Sequence, residues 1–275
     1  MKWTELVPSE FKNMIQDGRI CVLPVGALER HGEHIPFGCD LDVVETIAAE
    51  AAVRTPAVVF PGYFLAQVHE AACFSGTVNL PAHLTIEVLS HLLDSIAANG
   101  FKKILILNGH GGNQAFLDYF SMSQLDEPRD YVLYWANAYH IADQDKDEQF
   151  NSLWESDELG HACEMETSIY MACCPDKTRM DLADLEQVRQ PVKAKNRLAH
   201  LQKTGVHNAH WWYADYPQNV VESPGLASLA KGEKALELMI ESTAEKIKAV
   251  QDDRETPRLQ KEFLDKVIQK GKGSN

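Results

Sequence analysis

An α/β fold, a three-layer sandwich with a mainly parallel central sheet between two layers of helices, is predicted for this 275-residue chain by two observations. Short apolar runs of strand length alternate with longer stretches that carry apolar residues at helical spacing. Two of those runs lead straight into loops crowded with carboxylates and imidazoles, and the C-terminal ends of parallel strands are where such folds keep their chemistry.

Strands are expected at residues 20–24, 57–60, 103–108 and 131–135, with a possible short extra strand at 77–80. Residues 41–53 and 85–98 have helical periodicity, and Gly100 stands where a left-handed C-terminal cap belongs. The polar, acidic stretch 137–160 is longer than an ordinary connection and reads as a lid or an interface segment. Residues 206–216 hold four aromatics and two histidines, a density expected to line a pocket or a subunit contact. A last long helix is expected at 231–250. The charged tail 251–275, interrupted by Pro257, should fold only by docking on something. The length suits one large domain, 1–250, followed by that tail.

Forty acidic residues against 26 basic ones give a net charge of −14. That balance argues against nucleic-acid and anionic-membrane partners, which need clustered cations. There is no apolar run of about 18 residues, and the first residues lack the hydrophobic core of a secretion signal, so a cytoplasmic protein is expected. The six cysteines show no Cys-x-x-Cys pair and read as thiols rather than disulfides.

The chemistry-bearing residues fall in two loops. Glu29, His31 and Asp40 follow the first strand, and His110 follows Lys103-Ile104-Leu105-Ile106-Leu107-Asn108. Carboxylate plus imidazole is the ligand set of zinc, manganese or iron, and an aspartate with two free oxygens is a common bridge between two ions. Two divalent ions about 3.5 Å apart make hydroxide available at neutral pH, so a metal-bridging hydroxide is the expected nucleophile. No Gly-x-Ser-x-Gly elbow and no Walker-type phosphate loop occur. Arg30 is the only cation inside the motif loops, which points to an uncharged small-molecule substrate.

The same residues, in Glu29-Arg30-His31-Gly32-Glu33-His34-Ile35-Pro36 with Asp40, and Asn108-Gly109-His110, resemble the hallmarks of the creatininase (creatinine amidohydrolase) family. The resemblance extends to Phe74-Ser75-Gly76-Thr77, with Ser75 where the family has proline, and to His161 with Glu166-Thr167-Ser168. It spans roughly residues 1–250. It implies a hydrolase with two divalent metal ions per chain, zinc first, then manganese or iron, in a homo-oligomer, a hexamer. In that scheme Asp40 bridges, one ion takes Glu29 and His110, and the other takes His31 and a further carboxylate. Creatininase places a glutamate two residues after the Asn-Gly-His histidine, where this chain has Gly112. Glu166 is the expected replacement and Glu164 the second choice. If their segment is helical they point roughly 200° apart, so at most one faces the ions.

His161 and Glu164 are the expected catalytic residues, with His161 as the acid that protonates the leaving group. His69, His34, His210, Trp211 and Trp212 are the expected substrate contacts. The expected reaction is hydrolysis of a small cyclic amide, formamide or related carbonyl compound. The alternative the family also offers is ring opening of a keto-inositol of the 3-dehydro-scyllo-inosose type at a carbon–carbon bond. A non-catalytic metal- or sugar-binding relic of the fold is the alternative of another class.

Overall fold

The computed structural model describes residues 1–183 and 197–272. Its sheet has four strands, β1 (Cys21–Val25), β2 (Val58–Val59), β3 (Lys103–Asn108) and β4 (Val132–Asn137), in the order β2-β1-β3-β4. Every neighbouring pair is parallel, and Val25 at the end of β1 lies opposite Asn108 at the end of β3. The helices are α1 (Pro8–Gln16), α2 (Cys39–Arg54), α3 (Ala82–Ala98), α4 (Asn113–Ser123), α5 (Gln144–Asn151), α6 (Glu164–Cys173), α7 (Ala199–Gln202), α8 (Trp211–Asp215), α9 (Leu229–Asp252) and α10 (Glu255–Lys272).

Strand side chains alternate between the faces of the sheet, and here both faces are apolar because both are covered. Val22, Leu105 and Leu107 pack with Val43, Val44 and Ile47 of α2, Ile169 and Tyr170 of α6, and Met239 and Ile247 of α9. Leu23, Val25, Ile104 and Ile106 pack on the other side with Leu89 and Leu93 of α3 and Leu117 and Phe120 of α4, with Phe11 and Ile15 of α1 beyond them. The three-layer sandwich follows from that pattern.

Two local expectations differ from what is found. Residues 77–80 form no strand, because the Asn79 side chain takes both backbone groups of Val68, accepting from its N–H (3.1 Å) and donating to its carbonyl (3.1 Å). The acidic stretch after β4 does not stand free. Its middle is α5, which packs on α9 and is tied there by Lys146 to Glu241 (3.0 Å) and Glu245 (2.8 Å). The start of the charged tail is α10, whose Gln260 amide donates to the carbonyls of Arg129 and Tyr131 beside the edge strand β4. All six cysteines are free thiols. Among the described residues no helix is long and apolar enough to cross a membrane.

Candidate metal centre

Strand order reverses between β1 and β3, and the crevice at such a reversal is where parallel α/β sheets bind ligands. The N-terminus of α2 closes over that crevice because two glycines admit it. A Cβ at Gly26 would stand 2.7 Å from the Leu41 nitrogen, and one at Gly109 would stand 2.8 Å from the Asp40 carbonyl oxygen. Asp40 is thereby pressed against both loops from the first turn of α2, where the helix dipole favours a carboxylate.

Five of the residues singled out from the sequence meet there. Glu29, Asp40 and His110 offer ligand atoms within 4.8 Å of one another, and so do His31, Asp40, Glu166 and Cys39. Asp40 belongs to both groups and divides its oxygens between them: Oδ1 lies 3.2 Å from His31 Nε2, and Oδ2 lies 2.9 Å from His110 Nδ1. Glu29 Oε2 is 3.3 Å from His110 Nδ1, and Glu166 Oε1 is 3.5 Å from His31 Nε2. Glu29, His31, Asp40, His110 and Glu166 are all buried.

Neighbouring groups aim these ligands. His31 Nδ1–H donates to the Glu29 carbonyl (3.1 Å), which leaves the Nε2 lone pair facing the carboxylates. The Asn108 side chain accepts from the His110 N–H and donates to the His110 carbonyl, pinning that loop. Glu166 Oε2 accepts from the N–H of Ala162, held in the left-handed region at φ 56.

The donor set fits divalent metal. Three buried carboxylates converge with two imidazoles, and Oε2 of Glu29 and Oδ2 of Asp40 accept no hydrogen bond. Without metal, protons take its place. Burial alone would push the pKa values of His31 and His110 down, but it is outweighed, at His31 by Glu166 and Asp40 and at His110 by Asp40 and Glu29, so both lie well above the usual imidazole value. Burial opposes ionisation of Asp40 and Glu166 too, yet the imidazoles hold both carboxyls below their ordinary range. A raised histidine pKa stabilises the fold below the unfolded value and loses that contribution as pH rises through the folded one. Divalent ions must displace those protons, so affinity for zinc is expected to strengthen as pH rises from below neutrality through the raised histidine values. Competition titrations at several pH values would check this, and a pH-independent affinity would contradict it.

His161 lies beside the ligands. Its ring stacks on His31 with centroids 4.0 Å apart, and its Nε2–H donates to the Arg30 carbonyl (2.7 Å). Glu29 Oε1 is 3.7 Å from Nε2 and Glu166 Oε2 is 4.0 Å from Nδ1. His34 is buried against α6, with Nε2 2.9 Å from Thr167 Oγ1, and burial, then His31, pushes its pKa down to about 4. Trp212 meets His161 edge-on at 6.0 Å.

The other expected contacts are placed elsewhere. Trp211 is 49 % exposed and touches Trp212 from outside, and His210 is exposed. His69 is exposed as well, its ring nitrogen against Gln67. Glu164 is a correction: its side chain turns away from the ligands, as the angular separation from Glu166 on α6 demands. It accepts from the N–H groups of Glu155 (3.0 Å) and Ser156 (2.8 Å) and pairs with Lys231 of α9. Glu164→Ala is therefore expected to destabilise the fold by about 1–3 kcal/mol, the cost of leaving the two N–H groups without their acceptor while Lys231 keeps Glu155, with metal content unchanged. Glu166→Gln should do the reverse, weakening metal at near-parental stability. Denaturant unfolding and elemental analysis of both variants test the pair.

Sequence reading missed Asn219. Fully buried at φ 57, it donates to Glu29 Oε1 (2.9 Å) and the Arg30 carbonyl (2.8 Å) and accepts from Trp212 Nε1–H (2.6 Å). Its only signal was an asparagine, which tolerates that backbone conformation, in a turn after Pro217. Glu70, next to the predicted His69, was also missed; its carboxylate lies 3.4 Å from His110 Nε2.

A doubly covered parallel sheet with a buried carboxylate–imidazole cluster at its reversal point defines an α/β protein with a candidate divalent-metal site. The profile of the creatininase family, described as creatinine amidohydrolase, matches residues 4–247, and the chain belongs to that family. Among curated relatives, the 3-dehydro-scyllo-inosose hydrolase of Thermotoga maritima is 25% identical over 248 residues, 84% of this chain and 78% of that protein. The mycofactocin precursor peptide peptidase of Mycolicibacterium smegmatis is 26% identical over 239 residues, 85% of this chain and 86% of that one. A crystal structure of creatininase superposes with a TM-score of 0.73 at 21% identity, covering 92% of this chain and 98% of the other.

Proposed function

We propose that this chain is a dinuclear metal-dependent hydrolase of a small, uncharged cyclic amide, formamide or related carbonyl compound. The observation that carries this reading is one carboxylate, Asp40, presenting its two oxygens to two buried ligand groups, Glu29 with His110 and His31 with Glu166. Two divalent ions bound there, zinc first among the candidates, supply Lewis acidity and an activated water near neutral pH. Asn219 fixes the carboxylate of Glu29 and, through Trp212, ties the aromatic wall to it. His161, its ring 4.0 Å from that of His31, is the residue placed to protonate the departing group. An uncharged substrate is supported because Arg30 is already paired with Glu33 (2.7 Å) and lies over the Phe74 ring.

A second reading, ring opening of a keto-inositol, is favoured by the match to the inosose hydrolase along most of the chain. Zinc- and manganese-loaded protein should be screened against cyclic amides, formamides and keto-cyclitols. Turnover of a cyclic amide or formamide, abolished by chelation and restored by metal, supports the first reading, and turnover confined to keto-cyclitols supports the second. No turnover of any class by protein holding two ions would overturn both.

A further inference from the structure

We infer that Glu70 is the positioning residue for His110 in this chain, and that Gly112 is glycine in order to admit its carboxylate. The inference rests on the metal-centre reading above and adds to it a residue from a third loop. Gly112 has φ −62 and ψ −21, a helical conformation open to any residue, so its backbone does not call for glycine. Space does. A Cβ at position 112 would stand 1.8 Å from Glu70 Oε1 and 2.5 Å from His110 Nε2. With Glu70 where it stands, a side chain at 112 and its carboxylate would compete for one space.

The two ring nitrogens of His110 face different groups. Nδ1 looks into the cluster, 2.9 Å from Asp40 Oδ2 and 3.3 Å from Glu29 Oε2, while Nε2 looks outward at Glu70 Oε1, 3.4 Å away. His110 Nε2 makes no hydrogen bond, and the Glu70 carboxylate is the charged group it faces. A carboxylate on that side draws the ring proton to Nε2 and leaves the Nδ1 lone pair for an ion, the arrangement by which carboxylate–histidine pairs raise ligand basicity. Glu70 is itself held. The Gln67 amide donates both to Glu70 Oε2 (2.9 Å) and to the Gly112 carbonyl (2.9 Å), and the Gln67 N–H donates to Asn113 Oδ1 (3.0 Å). The 67–70 turn is thus fastened to the loop whose histidine it serves.

Zinc affinity, read by competition with a chromophoric chelator, tests this on the parent, Glu70→Ala, Glu70→Gln, Gly112→Ala and the Glu70→Ala/Gly112→Ala double variant. The parent should hold two zinc ions, and Glu70→Ala should weaken one of them by about 10- to 100-fold. Glu70→Gln, nearly isosteric and so a guard against misfolding, should lose less, because its amide oxygen keeps an acceptor facing Nε2. Gly112→Ala should weaken the same ion by displacing the carboxylate, and adding Glu70→Ala to it should cost no more. Parental affinity for both ions in Glu70→Ala, or additive losses in the double variant, would overturn the inference while leaving the metal centre standing. A parent that binds no zinc would overturn the metal centre itself, and the role of Glu70 with it.

Discussion

Asp40→Ala is expected to lose both metal ions together, and with them all metal-dependent turnover, whereas Glu29→Ala or His110→Ala should lose mainly one. The difference follows from geometry. Among the described residues Asp40 is the carboxylate shared by the His31–Glu166 and Glu29–His110 groups, 3.2 Å from the nitrogen of one and 2.9 Å from that of the other. Removing it takes a carboxylate from both groups at once, leaving Glu29 with His110 on one side and His31 with Glu166 beside the Cys39 thiol on the other. Asp40→Asn serves as the shape control, since it fills the same space at the start of α2 but replaces one anionic oxygen by a donor. Elemental analysis after dialysis reads the outcome for all four variants. Two ions retained by Asp40→Ala would rule out the bridging role.

How much of this was legible beforehand depended on the range of the interactions. The strand Lys103–Asn108 coincides with its apolar run, and β1 lies one residue beyond the expected 20–24, because burial on both faces writes a continuous apolar signal. Glu29, His31, Asp40 and His110 could be picked out because each follows a buried strand closely in the chain. Glu166 came only with the family resemblance. Helical geometry said beforehand that Glu164 and Glu166 could not both face the cluster; which one did depended on Lys231 of α9, 67 residues downstream. Asn219 reaches Glu29 across 190 residues, and no local pattern marks such a contact. At residues 69 and 70 the sequence signal lies one position away from the group that touches His110. A histidine beside a motif drew notice, while the carboxylate that touches His110 is identified only by the space above Gly112.

His161→Ala is expected to lower kcat by on the order of 10²- to 10⁴-fold, the usual cost of removing a general acid, while keeping both ions and the fold. The ring lies over His31 at 4.0 Å without occupying either shared-carboxylate group, and it has its own anchor in the Arg30 carbonyl. It is therefore near enough to meet a substrate bound at the cluster, yet its loss leaves Glu29, His31, Asp40, His110 and Glu166 in place. Carboxylate oxygens stand 3.7 Å from one ring nitrogen and 4.0 Å from the other, so anionic groups flank the ring on both sides. Steady-state kinetics on whichever substrate the parent turns over, paired with elemental analysis, separates the alternatives. Loss of metal would make His161 a ligand, as its approach to Glu29 and His31 allows geometrically. Full activity would move the acid elsewhere, and His34, buried at Thr167 and already depressed to about 4, could not supply it at neutral pH.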